Sequence, residues 1–441
     1  MDCIRDMIVG LDTPVKLQNG TMIPAINLDN AATTPAFKKV VKEIDKQLLY
    51  YGSIGRGKGQ KSAHSTKVYA AGRDIVKAFV NASEAYTVIY TNSTTDGMNK
   101  LASALIQSDQ DIVLSTRMEH HANDLPWRER AQVVYAEVDA QGRLIIEDIE
   151  RLLEVYQGAI KYVTVTAASN VTGYVNDVHA IAKLAHAYGA KIIVDGAQIV
   201  AHRAFSMQGD TPEENIDFFV FSAHKMYSPF GGGAIIGLTD VLNTHLPQFY
   251  GGGMVQAVCD DDVIYLPAPD NYEAGSPNYP GVVGMLEAMD ILKNIGFQLI
   301  EAHEQRLLAR TLAGLKQFPD VILYGDTKNI SDRVGLITFN IEGFNPETVA
   351  DFLASHYAIA VRQAAFCAHP YVRRLTGETN TSPCKAPTGM VRISFGIYND
   401  EADVDCFLKA IETLISNTCL RKQMEHRMSA PLWLGMPHDR G

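Results

Sequence analysis

The sequence lacks several features that define common protein classes. Its 441 residues contain six cysteines and no Cys-x-x-Cys pair. No apolar run reaches the roughly 18–20 residues that a bilayer crossing needs. Acidic residues outnumber basic ones by 50 to 39, and the net charge of −11 argues against a general nucleic-acid binder, because phosphate contacts need a basic surface. No Gly-x-Gly-x-x-Gly motif follows an early strand, which disfavours a nicotinamide-binding dehydrogenase.

The remaining composition is typical of a large globular enzyme. With 46% hydrophobic residues, the chain can bury a substantial core and is expected to form two domains. The scattered cysteines fit reduced thiols, and the N-terminal region is acidic with no long apolar segment. We therefore expect a cytoplasmic protein with no membrane or nucleic-acid partner.

Two apolar runs in the middle of the chain end in residues that can perform chemistry. Residues 192–194 end in Asp195, and residues 218–221 lead into Ser222-Ala-His-Lys225. Each run indicates a buried strand of a parallel sheet, and open α/β sheets bind ligands at the carboxyl ends of such strands. A carboxylate and a lysine at adjacent strand ends suit pyridoxal phosphate, because the lysine can form a Schiff base and the acid keeps the pyridine nitrogen protonated.

The periodicity predicts an α/β fold with a second, smaller α+β domain. Between about residues 84 and 240, apolar strands alternate with helical stretches, which favours a parallel sheet wound by helices. Residues 286–315 have the spacing of long linking helices. The second domain is predicted from strands at 334–341 and 390–395 and helices at 346–355 and 401–415.

Several motifs resemble, in order along the chain, those of the class V aminotransferases, the fold type I pyridoxal-phosphate enzymes. The resemblance covers about residues 25–415 and is strongest to the cysteine desulfurase and selenocysteine lyase branch, which includes the SUF-type desulfurases. The motifs are Leu28-Asp-Asn-Ala-Ala-Thr-Thr34, Ser93-Thr-Thr-Asp-Gly97, Met118-Glu-His-His-Ala-Asn123, Ser169-Asn-Val-Thr-Gly173, Asp195-x-x-Gln198, Ser222-Ala-His-Lys225, Glu273-Ala-Gly-Ser-Pro-Asn278 and Val391-Arg-Ile-Ser394.

The resemblance implies a mostly parallel seven-stranded sheet in the larger domain. We place an N-terminal segment at 1–25, packed with the small domain, and the large cofactor-binding domain at 26–290. The small α+β domain is placed at 291–420 and a poorly ordered tail at 421–441, where Pro and Gly recur.

The resemblance assigns roles to residues around the cofactor ring. Lys225 matches the Schiff-base lysine, Asp195 the acid beside the pyridine nitrogen, and Gln198 the residue beside the ring hydroxyl. His120 matches a histidine that stacks on the ring. Without the resemblance, each residue type has a more common role. A lysine after a strand is usually a surface charge, an aspartate at a strand end usually caps the next helix, and a lone histidine is usually a structural residue.

A phosphate cup is predicted from hydroxyls and a histidine. Thr94 and Thr95 open a helix whose free N–H groups suit a phosphate, and Ser222 and His224 add further donors. In the family, the position of Ser276 reaches the cofactor of the partner subunit, so the resemblance implies a homodimer.

The substrate side of the site is predicted from two arginines, an asparagine and a cysteine. Arg392 matches the arginine that binds the substrate carboxylate, Asn170 an asparagine beside it, and Arg362 is a second basic residue. Cys367 falls where the desulfurases carry their sulfur-accepting cysteine, although most loop cysteines are not catalytic. A thiolate there can attack the sulfur of bound L-cysteine and leave a persulfide, and alanine would be released.

Two segments depart from the family pattern, and both concern the substrate entrance. Gln363 and Ala364 replace a glycine-containing pattern before the cysteine, and residues 55–59 lack both family histidines. This glycine- and lysine-containing loop is either an anion-binding loop or a flexible one.

The leading hypothesis is a pyridoxal-phosphate-dependent cysteine desulfurase that passes sulfur from Cys367 to an acceptor protein. One alternative is another class V activity, such as a C–S or selenocysteine lyase, an epimerase or a transaminase on a specialised amino acid. A remote alternative is an inactive scaffold that keeps the fold. The need for Cys367 distinguishes the first two, because the rivals can work from Lys225 alone.

Overall fold

The computed structural model describes residues 2–55, 57–246, 248–379 and 384–417. The predicted tail at 421–441 and Arg56 of the 55–59 loop lie outside these residues. None of the described helices combines the length and the hydrophobicity that a bilayer crossing requires.

The strands fall into one large sheet, one four-stranded sheet and three short pairs. In chain order they are β1 (Pro14–Lys16), β2 (Met22–Pro24), β3 (Ile26–Asn27), β4 (Tyr86–Thr91), β5 (Ile112–Thr116), β6 (Gln132–Ala136), β7 (Ile160–Thr166), β8 (Lys191–Asp195), β9 (Phe218–Ser222), β10 (Gly233–Leu238), β11 (Val255–Val258), β12 (Val263–Tyr265), β13 (Val321–Tyr324), β14 (Leu336–Ile341), β15 (Ile359–Ala360), β16 (Arg362–Ala364) and β17 (Met390–Ser394).

The helices cover the sheets and link them. In chain order they are α1 (Asp2–Arg5), α2 (Lys38–Leu48), α3 (Gln60–Phe79), α4 (Thr94–Leu105), α5 (Leu125–Arg128), α6 (Ile146–Tyr156), α7 (Val178–Ala187), α8 (Ile199–His202), α9 (Thr239–Leu242), α10 (Tyr279–Ile295), α11 (Phe297–Leu315), α12 (Pro346–Tyr357), α13 (His369–Thr376) and α14 (Glu401–Ser416).

The large sheet has seven strands in the order β4-β10-β9-β8-β7-β5-β6. All its pairings are parallel except those of β10, which runs antiparallel to both β4 and β9. Every residue of β4 and β9 is buried, as expected for strands covered by helices on both faces. The predicted mostly parallel, seven-stranded sheet is therefore confirmed, and the motif-bearing loops lie at its carboxyl edge.

The second sheet has the order β13-β14-β17-β16 and is antiparallel throughout. Its own core contains Ile337, Phe339, Ile393 and Phe407, with helices α11, α12 and α14 contributing apolar residues. The N-terminal helix joins this part of the molecule, because the Arg5 guanidinium donates to Asp400 and Asp403 (carboxylates at the start of α14). These contacts support the predicted packing of the N-terminal segment, while the exact domain limits stay a prediction.

Gly196 allows the chain to turn sharply after β8. Its backbone N–H donates to the carbonyl of Val220 on β9, at 2.8 Å. A methyl group built on Gly196 would overlap the ring of Phe219, a fully buried residue in the same strand as Val220. The close approach of these two strands therefore depends on glycine at position 196.

Gly196→Ala should destabilise the protein by about 1–3 kcal/mol, because a closely packed aromatic ring has to move. Urea unfolding would measure the change. Gly252→Ala is the matched control, since an added methyl at Gly252 meets no atom within 4 Å. Equal stability of the Gly196→Ala variant and the wild type would contradict the close packing.

Candidate active site

One cavity of about 190 Å³ collects nearly all residues that the sequence singled out. It lies between the carboxyl edge of the large sheet and the second sheet. Twelve of the thirteen predicted site residues line it, and Ser276 does not. The twelve are Thr94, Thr95, His120, Asn170, Asp195, Gln198, Ser222, His224, Lys225, Arg362, Cys367 and Arg392.

Asp195 and Lys225 follow neighbouring parallel strands, which brings them to one end of the cavity. Asp195 is the last residue of β8, and Lys225 lies in the single turn that follows β9. Burial lowers the pKa of Lys225 to about 8, although the carboxylate of Asp195 opposes this shift. Burial likewise raises the pKa of Asp195, while the backbone N–H of Ala197 and the charge of Lys225 counteract it. Lys225 is thus an amine that can lose its proton near neutral pH.

His120 is held as a neutral imidazole with a defined tautomer. Burial, with the nearby charges of Lys225 and Arg392, lowers the pKa of His120 to about 3. Its Nδ1 accepts a hydrogen bond from the backbone N–H of Ala122 at 3.0 Å, so the proton of the neutral ring is on Nε2. The Nε2–H of His120 is therefore a donor available for a ligand in the cavity.

The start of α4 and the turn after β9 form a polar corner of the cavity. Ser93 caps α4 by accepting from the backbone N–H of Asp96 at 3.2 Å. Ser222 Oγ accepts from the backbone N–H of Thr94 at 2.6 Å and lies 2.8 Å from Thr94 Oγ1. Hydroxyls at a helix N-terminus are a suitable environment for a phosphate. His224 borders the same cavity, and burial lowers its pKa to about 4.

The second sheet supplies the opposite wall. Arg392 on β17 is buried, and its Nη1 donates to the carbonyl of Asn170 at 2.9 Å. The Asn170 side chain donates to the carbonyl of Phe366 at 2.8 Å, which ties the Cys367 loop to the large sheet. Arg362 on β16 lines the cavity with its side chain half-exposed. Burial lowers the pKa of Arg392, against the attraction of Asp29.

Ser276 lies away from this cavity, in a separate hollow of the same chain. The segment that carries it is anchored by Glu273, whose carboxylate accepts from Arg73 at 2.8 Å, from the Tyr69 hydroxyl at 2.7 Å and from the backbone N–H of Tyr90 at 2.7 Å. The structure therefore does not bring Ser276 to the cavity of its own chain, and its predicted role at a partner's cofactor stays a prediction.

Two acidic residues near the cavity received no role from the sequence. Asp29 accepts from Arg392 Nη2 at 3.0 Å. Glu119 is buried, accepts from Thr116 and Asn123 at 2.6 Å each, and has its pKa raised to about 8 by burial. Both stand inside motifs that the sequence analysis quoted. Their position beside predicted site residues was the available signal, but the partner of Asp29 comes from a distant part of the chain.

Unpartnered buried atoms indicate where a ligand would bind. Gln198 Oε1 and Arg392 Nε are buried, belong to residues lining the cavity and have no hydrogen-bond partner among the described residues. Buried polar groups are almost always paired, so two such atoms in one cavity favour a polar ligand there. The donor set fits pyridoxal phosphate, with an acid for the ring nitrogen, a lysine for the aldehyde and hydroxyls for the phosphate.

Comparison with known proteins agrees with the motifs. Residues 26–407 match the family model described as aminotransferase class-V. The chain belongs to the class V aminotransferase family. A probable cysteine desulfurase of Halalkalibacterium halodurans is 33% identical over 408 residues, which cover 90% of this chain and 95% of that protein. A cysteine desulfurase of Synechococcus elongatus is also 33% identical, but this chain spans only 62% of its length.

Solved structures of the family support the same fold. The apo structure of a cysteine desulfurase from Thermococcus onnurineus aligns with a TM-score of 0.80 and 31% identity, covering 88% of this chain and 94% of that one. A cysteine desulfurase of Escherichia coli aligns with a TM-score of 0.77 and 27% identity, covering 94% and 98%. These class V enzymes depend on pyridoxal phosphate, in agreement with the donor set of the cavity.

The lowered pKa of Lys225 predicts how cofactor uptake depends on pH. Only an unprotonated amine attacks an aldehyde, and a pKa near 8 leaves an unprotonated fraction that rises about tenfold between pH 7 and pH 9. The rate at which cofactor-free protein acquires visible absorbance from added pyridoxal phosphate should rise through pH 8 and level off near pH 9.

The control is Lys225→Ala, which should show no covalently bound cofactor at any pH. A wild-type rate that keeps rising beyond pH 10 would contradict the shifted pKa, because it would match an ordinary lysine.

Proposed function

We propose that the chain is a pyridoxal-phosphate-dependent cysteine desulfurase that moves the sulfur of L-cysteine onto Cys367 and releases L-alanine. The observation that carries this proposal is the presence of Cys367 in the lining of the same cavity as Lys225 and Arg392. The two relatives and the two solved structures described above carry the same activity in their names, which supports the proposal.

Arg392 would bind and orient the amino acid. The Nε of Arg392 is a buried donor without a partner, so a substrate carboxylate would satisfy it and gain a charge-assisted hydrogen bond. The chemistry that pyridoxal phosphate supplies when bound is electron withdrawal from the carbon atoms of the amino acid, which weakens the C–S bond. The carboxyl group of Asp195 would pair with a protonated ring nitrogen, and the charge of Lys225 counteracts the effect of burial on the pKa of Asp195.

Lys225 would also move protons during the reaction. Its pKa of about 8 lies close to neutral pH, so its amine can accept a proton from the substrate and return one to a carbon atom. An ordinary lysine, with a pKa near 10.4, would stay protonated at neutral pH and could not serve as a base. The burial of Lys225 therefore suits it to both steps.

Cys367 lies in an unusual backbone conformation at the cavity mouth. Ala364, Phe366 and Cys367 all have positive φ angles, of 91°, 50° and 54°. Non-glycine residues adopt such angles rarely, and they occur most often at functional sites, where surrounding contacts hold them. Here the side chain of Asn170 and the backbone N–H of His121 hold the loop through the carbonyls of Phe366 and Cys367.

The sulfur transfer requires a thiolate at Cys367. The thiolate would attack the substrate sulfur, so that an S–S bond forms while the C–S bond breaks, and protonation of the carbon would give alanine. Cys367 is a free, exposed cysteine that lines the same cavity as Lys225 and Arg392. This placement supports its proposed role as nucleophile.

A sulfur acceptor protein would approach from the outer side of the same loop. Cys367 also lines a second hollow of about 570 Å³, together with His121 and the exposed residue Leu125. The persulfide on Cys367 would therefore be reachable from outside without opening the inner cavity.

We also infer a cytoplasmic location, since the free cysteines among the described residues, including Cys367, would need a reducing compartment.

A homodimer is part of the proposal, because the Ser276 segment is surrounded by exposed apolar residues. Tyr51 and Tyr279 have ring centroids 5.6 Å apart, and the backbone N–H of Gly275 donates to Gly252 at 2.8 Å. Several large side chains near these two contacts in the chain are exposed. They are Leu48, Leu49, Tyr50, Tyr51, Leu246, Phe249 and Tyr250. Exposed apolar side chains of this kind favour association, and Ser276 would then face the partner's cavity.

Cys367→Ser should bind L-cysteine but fail to transfer its sulfur, because a hydroxyl is a far weaker nucleophile towards sulfur than a thiolate. Alanine production with a reductant present should fall by at least about a hundredfold. Peptide mass spectrometry after alkylation should find one additional sulfur on Cys367 of the wild type.

Cys259→Ser is the matched control for this experiment, because Cys259 is also exposed and free but lies outside both hollows. Its alanine production should equal that of the wild type. Wild-type alanine rates in Cys367→Ser, with no persulfide in either protein, would favour a lyase or transaminase instead.

Mixed dimers test whether Ser276 acts across subunits. One chain would carry Lys225→Ala and the other Ser276→Ala. If Ser276 serves the partner, one site combines both changes and the other site is intact, so about half of the wild-type activity should remain. Sedimentation would confirm the dimer. A fully active monomer, or a mixed dimer no more active than Ser276→Ala alone, would exclude the shared site.

A further inference from the structure

Asp29 forms ion pairs with both arginines of the cavity. Its Oδ1 accepts from Arg392 Nη2 at 3.0 Å, and its Oδ2 lies 3.7 Å from Arg362 Nη1. The Asp29 side chain is only 19% exposed. Asp29 also forms a parallel β-bridge with Ser394 of β17, which fixes its backbone beside the strand that carries Arg392.

The sheet register explains why a carboxylate is needed at this position. Arg362 on β16 and Arg392 on β17 are direct partners across the antiparallel pair. Like charges directly opposite each other destabilise a sheet, and one member of this pair, Arg392, is buried. Asp29 compensates one of the two positive charges by contacting both guanidinium groups.

The contacts leave one edge of Arg392 free. Nη1 donates to the carbonyl of Asn170, Nη2 donates to Asp29, and the ring of Phe366 lies 5.0 Å from the guanidinium carbon. The buried Nε has no partner among the described residues. Asp29 therefore both neutralises charge and holds the guanidinium so that its Nε edge is available for a ligand carboxylate.

These contacts set the charge on this side of the cavity. Arg362 and Arg392 contribute two positive charges and Asp29 one negative charge, which leaves one positive charge to match one carboxylate. We propose that Asp29 is a positioning residue that makes the cavity prefer amino acids with a single carboxylate over those with two. The inference rests on the proposed function, since it takes Arg392 as the site that binds the carboxylate of an amino-acid substrate.

The test compares binding of L-alanine and L-aspartate to the cofactor-loaded enzyme by calorimetric titration. These amino acids differ by one carboxylate, and their binding requires no sulfur chemistry. A failure of the desulfurase assignment would thus leave this measurement intact. In Asp29→Asn, the amide oxygen can still accept from Arg392, but the negative charge is lost. The ratio of L-aspartate to L-alanine affinity should rise about tenfold.

A charge-restoring double variant separates charge from structure. Asp29→Asn combined with Arg362→Gln again leaves one positive charge, so the affinity ratio should return to within about threefold of wild type. Asp332→Asn is the matched control. It removes a carboxylate paired with Arg143 outside the cavity, and both affinities should stay unchanged.

The proposal would be overturned if the ratio of L-aspartate to L-alanine affinity in Asp29→Asn equalled that of the wild type. An equal loss of affinity for both ligands would indicate a purely structural role for Asp29. If Asp29→Asn does not fold, Arg362→Gln alone decides the question. It leaves no net positive charge and should weaken both ligands, L-aspartate more strongly, and an unchanged ratio there would also refute the proposal.

Discussion

The segment at residues 28–34 is the connection on which the active site depends. Gln198, beyond β8, donates its side-chain amide to a carbonyl of this segment at 2.8 Å. A backbone N–H of the segment donates to the carbonyl of His224, beyond β9, at 2.9 Å, and the backbone N–H of Ser394 on β17 donates to another of its carbonyls at 2.7 Å. One short stretch thus joins two strand ends of the large sheet to the second sheet. Because the segment is attached to the residues that follow β8 and β9 and to β17, a shift of this segment would displace the proposed cofactor and carboxylate sites together.

Burial without full compensation gives the cavity its reactivity. Lys225, Asp195 and Arg392 each have a pKa displaced towards the neutral form by burial, and opposite charges within the site oppose the displacement. A folded protein tolerates such groups when a ligand or neighbour supplies the missing interactions. The unpartnered Nε of Arg392 and Oε1 of Gln198 lie in the same cavity. These buried, incompletely paired groups lower the stability of the folded protein, and bound ligands that pair with them would restore part of it.

The sequence predicted the cavity well because its residues follow strands. Asp195 and Lys225 stand directly after apolar runs, and parallel strands bring their carboxyl ends to one edge, so proximity follows from periodicity alone. The reversed direction of β10 was not predicted, since a short apolar strand reads the same in both directions. The pairing of Arg362 with Arg392 could not be predicted either, because it depends on the register of two strands that are separated by the helix α13 and its flanking loops. The role of Asp29 becomes visible only once that register is known.

The position of Cys367 combines two requirements that oppose each other. A sulfur-accepting thiol has to reach a substrate inside the cavity and afterwards present its sulfur to a partner outside. A rigidly buried cysteine would fail the second requirement, and one on a loose loop would fail the first. Here the backbone of the loop is fastened through the carbonyls of Phe366 and Cys367, while no hydrogen bond holds the sulfur among the described residues. Cys367 has a positive φ angle and lines both hollows. Fixing the backbone while leaving the thiol free therefore meets both requirements with a single residue.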